Sequence, residues 1–534
     1  MVQRSVWSVA VLAAVALAVP RFVGAATIRV PANMPTIQAG INVAANHDTV
    51  LVAPGTYAGS GNRDITFNGK AVKLISEAGA ASTIIDCGSS HRGALFDDYE
   101  SNQALIRGFT FKNASEAIRL SRASTTIRGC ILGQNTGVGI VCVTGCFPLI
   151  DSTVISGCSS YGVSLTQSNP VFRSCSINSN AGCGIVTINS DSITLIDCEL
   201  VGNSGGGAIN SPYMIGLYLE DCLLQDNAGD VAGAVCVGYS GDYSRIEMTG
   251  CTFDGNKANG YPGLFNIEHC DIIATDCLFR RNGDRDYSSD FLMILEVDSE
   301  CLFRRCVFEE NYGICIYNGS DSPLELDSCM FTENQSWERV ISADGNLTVS
   351  NCTFTTNYIH SAFGGGNTIV CNVDQFAVTN TIISFTNYTV PLDVHPFPTI
   401  ECCDFYGNSQ GDWVYTYADL LGVNGNMCVD PQYCHRTSFW FDLKPTSPCA
   451  PANNECGVLI GALGVGCCGD VDGAEGVDID DVVYLINFIF AGGPEPEPVL
   501  EGDSDCSDFV DIDDVVYGIM YIFAGGPKPC ADCP

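Results

Sequence analysis

Residues 195–204 read Leu-Ile-Asp-Cys-Glu-Leu-Val-Gly-Asn-Ser, residues 219–228 read Leu-Glu-Asp-Cys-Leu-Leu-Gln-Asp-Asn-Ala, and residues 326–335 read Leu-Asp-Ser-Cys-Met-Phe-Thr-Glu-Asn-Gln. All three carry Cys-x-(Phe/Ile/Leu)-x-x-Asn behind an apolar residue three places earlier. The signature recurs at Cys130/Asn135, Cys175/Asn180, Cys198/Asn203, Cys222/Asn227, Cys251/Asn256, Cys277/Asn282, Cys306/Asn311, Cys329/Asn334, Cys352/Asn357 and Cys403/Asn408. Thr153 and Thr381 hold the cysteine position in two further copies, with Cys158 and Thr386 at the asparagine position. The cysteine and the residue two after it alternate as a strand with one face buried, and the odd gap to the preceding apolar residue implies a bend. After the asparagine comes a glycine-rich step and a second apolar run, as in Gly137-Val138-Gly139-Ile140-Val141. Three short strands per coil of about 25 residues, with no helix-length segment between them, describe a parallel β-helix.

A leucine-rich repeat has a similar period, but the offsets at which it needs Leu hold Arg, Asp, Ser or Gly here. The asparagine fits a tight turn, where its side chain tolerates a left-handed backbone and can bond its equivalent in the next coil. The ten in-phase cysteines are read as a buried stack rather than a disulfide ladder, because a disulfide needs Cβ atoms about 3.8 Å apart while stacked strands are wider. The out-of-phase pairs Cys142/Cys146, Cys428/Cys434 and Cys449/Cys456 are better placed for bridges. Ile37, Ile41 and Ala44 stand at helical spacing before the β-branched run Thr49–Val52, which suggests a short helix closing the first coil.

From residue 26 to about 465 the chain resembles the right-handed parallel β-helix superfamily of pectate lyases, polygalacturonases and many secreted repeat proteins. The opening Thr27-Ile28-Arg29-Val30-Pro31, Pro35-Thr36-Ile37-Gln38-Ala39-Gly40-Ile41 and Val52-Ala53-Pro54-Gly55-Thr56-Tyr57 looks like the start common to that group.

Composition narrows the function. Twenty-four Lys and Arg stand against 61 Asp and Glu, a net charge of −37, which excludes a nucleic-acid phosphate as the main partner. Residues 1–25 carry Arg4, an apolar run from Val6 to Val19 and the small-residue exit Val23-Gly24-Ala25, the pattern of a secretory signal. No later stretch is apolar enough to span a bilayer, so no transmembrane segment is expected.

Past Gly469 the composition shifts, and Val477-Asp478-Ile479-Asp480-Asp481-Val482-Val483-Tyr484 recurs 33 residues later as Val510-Asp511-Ile512-Asp513-Asp514-Val515-Val516-Tyr517. Counting twelve loop positions from Asp470 places Asp472, Gly476, Asp478 and Asp481 at 3, 7, 9 and 12. Counting from Asp503 places Asp505, Ser507, Phe509, Asp511 and Asp514 at 3, 5, 7, 9 and 12. Alternating oxygen donors ahead of a helix suit a hard cation, and two Ca²⁺ ions are expected. Over residues 468–527 this duplication resembles a type I dockerin, with Ala474 and Ser507 where that family has an acid and Glu475 and Asp508 where it has glycine. The resemblance implies a cohesin-like partner, contacted by Ile479, Asp480, Ile512 and Asp513, and a bacterial source. The identical dipeptide in both copies suggests two equivalent binding orientations.

A catalytic set is harder to find. The motifs of a polygalacturonase and the basic motif of a pectate lyase are absent, and the six His residues are scattered. The strongest surface constellation is Arg280, Arg281, Asp284 and Arg285, with Arg304 and Arg305 one coil later, which could hold an acidic sugar or else form a solvated, salt-bridged loop.

The expected fold is therefore all-β: a right-handed single-stranded parallel β-helix of roughly 13–15 coils plus a small α-helical calcium-binding domain. Its expected parts are a signal peptide (1–25), a cap with the first coils (26–100), the repeats (101–412), a C-terminal cap and linker (413–466) and the tandem-loop domain (467–534). Two functions are open. One is a secreted monomer, attached by that module to a cohesin-bearing scaffold or surface, whose β-helix is a carbohydrate-binding or structural surface; the other is a polysaccharide lyase or O-glycosyl hydrolase on the same module.

Overall fold

The structure, a computed structural model, describes residues 24–237, 244–258, 263–284, 291–296, 300–319, 323–359, 366–372, 376–394, 398–435, 440–444, 446–466, 469–472, 477–496, 499–505, 507, 509–527 and 529. The stretch read as an export signal lies outside these residues except for Gly24 and Ala25. Among the described residues no helix is long and apolar enough to cross a membrane.

The repeats wind into three parallel sheets: sheet 1 with 16 described strands, sheet 2 with 15 and sheet 3 with 14. One coil runs through Thr126–Arg128 in sheet 1, Ile131–Gly133 in sheet 2 and Val138–Val143 in sheet 3. Each strand pairs in register with its equivalents one coil before and one coil after. The result is an all-β solenoid whose inward residues form one continuous core.

Two corners per coil have a left-handed residue. Ahead of Cys130, Cys198 and Cys306 these are Gly129, Asp197 and Arg305, with φ of 58°, 52° and 50°. Ahead of Asn135, Asn203 and Asn311 they are Gln134, Gly202 and Glu310, with φ of 54°, 63° and 53°. The first set supplies the bend expected before the cysteine. The second corrects the expectation for the asparagine, because its predecessor takes the left-handed conformation. That reversal turns the asparagine side chain into the corner, where it is fully buried.

There the asparagines form a ladder. Asn282 Nδ2 donates to Asn311 Oδ1 at 3.1 Å, Asn311 Nδ2 to Asn334 Oδ1 at 2.9 Å and Asn334 Nδ2 to Asn357 Oδ1 at 3.0 Å. Each amide also donates inward to a main-chain carbonyl, Asn311 to Phe279 O at 2.8 Å. Inside the ladder, the rings of Phe279, Phe308, Phe331 and Phe354 stack at successive centroid spacings of 4.7, 4.5 and 4.5 Å. The ten in-phase cysteines are buried thiols, and burial pushes the Cys130 thiol up to about 11.

The ends are closed by different means. Helix α1, Ile37–Val43, starts at Thr36, whose hydroxyl accepts the Ala39 N–H at 3.2 Å, and buries Ile37, Gly40 and Ile41 over the first coil. At the other end Trp413 stacks on Phe405 at 4.5 Å and Tyr417 is fully buried beside them, so these two aromatics close the core, while Tyr415 is 78% exposed.

The bridges expected from sequence proximity do not form. Cys142 and Cys146 are buried thiols, and Cys456 pairs instead with Cys402, 54 residues away. Cys428 is a free thiol, so the bridged Cys434 is not its partner. Cys449 donates its thiol proton to Asp404 Oδ2 at 3.3 Å, and burial pushes that carboxyl up to about 7. Closeness along the chain loses to the coil geometry, which fixes which Cβ atoms face one another.

Candidate functional site

Two places concentrate polar chemistry. The first is the duplicated acidic segment. Helix α2, Ile479–Ala491, and helix α3, Ile512–Ala524, have matching ends. Asp478 and Asp511 cap them, accepting the N–H of Asp480 at 2.7 Å and of Asp513 at 2.8 Å, and Gly492 and Gly525 end them in the left-handed conformation that glycine adopts without strain. The helices share a small core of Val471, Val482, Leu485 and Val515. The two helices differ at three positions, and at the buried one Leu485 is matched by Gly518, whose missing side chain lets Val482 of α2 come close.

In front of each helix three carboxylates converge. Oxygens of Asp470, Asp472 and Asp481 lie within 4.8 Å of one another, as do those of Asp503, Asp505 and Asp514. The last residue of each set also closes its loop. Asp481 accepts the N–H groups of Asp472 and Asp478 at 3.2 and 2.8 Å, and Asp514 those of Asp505 and Asp511 at 3.2 and 2.7 Å. Burial, against those two hydrogen bonds and with the Asp470 and Asp472 charges adding to it, pushes the Asp481 carboxyl up to about 6. An all-oxygen donor set of this kind fits a hard divalent cation.

Of the expected ligands, Asp478 and Asp511 serve as helix caps and are not part of these triads. Ser507 turns its hydroxyl to Phe509 O at 3.2 Å. Gly476 lies outside the described residues, as do Ala474, Glu475 and Asp508.

The partner-contact candidates Ile479, Asp480, Ile512 and Asp513 stand exposed on the first turns of α2 and α3. They belong to a longer feature that the dipeptide alone does not reveal. Ile479, Val483, Ile486 and Phe490 are 47, 46, 39 and 65% exposed on α2, and their counterparts Ile512, Val516, Ile519 and Phe523 are 45, 49, 41 and 68% exposed on α3. Spacings of four, three and four residues set each group along one helix face. The signal was present in the sequence as apolar residues repeated at one 33-residue offset.

The second place is a groove of about 730 Å³ along the asparagine corner. Arg281, Glu310, Glu333 and Thr356 occupy the left-handed position on four successive coils and form one wall. Tyr312, Gln335, Tyr358 and Asn387, each just after the buried corner residue, form the other. Bridges between Tyr312 and Gln335 and between Gln335 and Tyr358 hold that second column in register. Burial, then the charges of Glu310 and Glu309, holds the Glu333 carboxyl above the usual glutamate range.

The arginine constellation is divided by the fold. Arg280 and Arg281 both bind Asp254, whose side chain is 2% exposed; Arg280 Nη2 lies 3.1 Å from its Oδ2, and Arg281 Nε donates to Oδ1 at 2.8 Å. Arg304 and Arg305 sit at the other corner, paired with Asp327 at 3.1 Å and Asp276 at 2.7 Å. A whole sheet 2 strand separates the two pairs. The four arginines therefore do not form one acidic-sugar site. Asp284 follows the corner at Gly283, and Arg285 lies outside the described residues.

A family model described as the right handed beta helix region matches residues 74–213. No curated protein matches the chain. The A-module of the Azotobacter vinelandii mannuronan C-5 epimerase AlgE6 is similar over 74% of this chain and 95% of its own, at 12% identity and a TM-score of 0.33. Pectate lyase Pel9A is similar over 78% and 85%, at 12% identity and a TM-score of 0.26. The Streptococcus pneumoniae surface adhesin PfbA is similar over 67% and 84%, at 12% identity and a TM-score of 0.22.

Proposed function

We propose that this is an exported bacterial β-helix protein of the pectate-lyase-like superfamily, monomeric apart from its attachment. A calcium-loaded, dockerin-like tandem-loop module holds it to a cohesin-like partner on a scaffold or cell surface, and the solenoid presents a carbohydrate-binding surface. The observation that carries the docking part is the doubled apolar stripe on α2 and α3, exposed to nearly the same degree at every matched position. Exposed apolar side chains in register on two helices, each rooted in an acidic triad, suit a surface that a partner can meet in either of two orientations.

Two equivalent faces give a distinctive expected result. Ile479→Asp alone, or Ile512→Asp alone, lowers affinity for a captured cohesin by only about twofold, because one orientation survives. The double variant lowers it by roughly 100-fold or more, as loss of a central apolar anchor does. Surface plasmon resonance of the full chain in Ca²⁺ reads both numbers, and a single variant that alone abolishes binding would overturn the two-orientation reading.

One observation favours the second reading, an enzyme that degrades polysaccharide. Glu310 and Glu333 occupy equivalent positions on adjacent coils, about 4.8 Å apart along the stack, and Glu333 is held toward its protonated form. Two carboxyl groups side by side, one of them held toward its protonated form, are the kind of pair a glycoside hydrolase uses as acid and nucleophile. On this reading new reducing ends appear from a cleaved polymer, and Glu333→Gln lowers that rate by about 100-fold or more. Unchanged turnover in that variant would remove Glu333 from the chemistry.

A further inference from the structure

We infer that the groove along the asparagine corner is the glycan-binding site of the solenoid, and that it takes a linear, uncharged polysaccharide running along the solenoid axis. The inference deepens the carbohydrate part of the function proposed above and rests on it.

The axial direction follows from how the walls are built. Both columns are produced by the coil repeat, so the groove continues from rung to rung parallel to the axis. Tyr312 and Tyr358 are half-buried and stand two rungs apart, about 9.6 Å at the usual strand spacing. That spacing is of the same order as the rise of two residues in an extended glycan, so alternate sugars could place an apolar face on each ring. Between the rings Gln335 offers both an amide donor and an acceptor, and Thr356 and Asn387 add further hydroxyl and amide groups on neighbouring rungs. Side chains that both donate and accept suit sugar hydroxyls.

Charge decides the class of glycan. Arg281 is already held by the buried Asp254 through Nε and a second guanidinium nitrogen. Around the groove Arg280 and Arg281 face five carboxylates, those of Asp226, Asp254, Glu309, Glu310 and Glu333. A polyuronate would bring a further carboxylate on every residue against Glu310 and Glu333, in a chain whose net charge is already −37. An uncharged glycan meets no such opposition. The carboxylates then act as hydrogen-bond acceptors for its hydroxyls.

The test is affinity electrophoresis of the full chain through native gels containing xylan, galactomannan or hydroxyethylcellulose, and in parallel through gels containing polygalacturonate or alginate. Retardation is expected in at least one neutral gel and in neither acidic gel. The Tyr312→Ala/Tyr358→Ala double variant should weaken it by tenfold or more, while Tyr312→Phe/Tyr358→Phe, which keeps both rings, should stay within about threefold of the parent. Thermal melting of all three proteins establishes that they are equally folded. If the alanine variant is folded and retarded like the parent, the groove is not the site, although the solenoid still binds carbohydrate. Retardation by polyuronates alone overturns the assignment to uncharged glycans. No retardation in any gel overturns both this inference and the carbohydrate reading, whereas the docking part is read separately by cohesin capture.

Discussion

Asn311→Ala should destabilise the solenoid by about 3–6 kcal/mol, because it strips three buried groups of their partners at once. The Asn282 main-chain N–H and Asn282 Nδ2 both donate to Asn311 Oδ1, and Phe279 O accepts from Asn311 Nδ2. None of these can reach water, since Asn282 and Asn311 are fully buried. The substitution also leaves a void beside the Phe279–Phe308 stack, which the rigid coil geometry cannot fill by collapse. Hydrogen exchange across residues 277–318 reads the loss locally, and the denaturation midpoint reads it globally. Asn311→Thr should cost less than Asn311→Ala, because the ladder already admits a threonine at 386, whose hydroxyl donates to Asn408 Oδ1 at 2.5 Å. An alanine variant within 1 kcal/mol of the parent would show that the ladder only decorates a solenoid held by its apolar core.

The second large effect is expected from chelation. The tandem-loop segment buries few apolar side chains, and four of its aspartates, Asp470, Asp481, Asp503 and Asp514, are buried beside other carboxylates. On the calcium-loaded reading proposed above, a domain with so small a core depends on the cation that relieves this crowding. At free Ca²⁺ about 1,000-fold above its dissociation constant, binding contributes roughly 4 kcal/mol, comparable with the whole stability of such a unit. EDTA should therefore abolish the far-UV helical signal of α2 and α3 and leave the β signal of the solenoid intact, and excess Ca²⁺ should restore it. Asp470→Asn with Asp503→Asn should shift the Ca²⁺ midpoint upward by at least tenfold, since both keep the side-chain volume and remove one charge from each triad. Helices that survive chelation unchanged would show that the acidic triads are not structural cation sites.

What the sequence revealed and what it hid divide along a physical line. The inward positions were legible because packing restricts them to a few residue types at a fixed phase. Cys306, Phe308 and Asn311 each have equivalents a coil away, and a period of 22 to 29 residues is visible by inspection. The groove was not legible, because its walls are outward positions that packing leaves free. Arg281, Glu310, Glu333 and Thr356 share no chemistry, and only the coil register places them side by side. The arginines were hard to place for a related reason: Arg305 falls short of Glu310, the equivalent of Arg281 one coil on, and so sits at the other corner. Asp254, which binds two of those arginines, reads in the sequence like any surface acid, yet it is buried. In the tandem loops the first-, third- and twelfth-position carboxylates converge, while the ninth-position aspartates, expected at the ion, cap the helices.

The asparagine ladder also fixes a length scale. Every coil adds one step of the same rise and offers two outward positions, one on each side of its buried corner residue. A coil inserted by gene duplication would leave all existing steps unchanged and lengthen the row by a single increment. The corner thus behaves as a graduated rule, on which recognition can be extended, shortened or rewritten mark by mark while the spacing between marks stays constant.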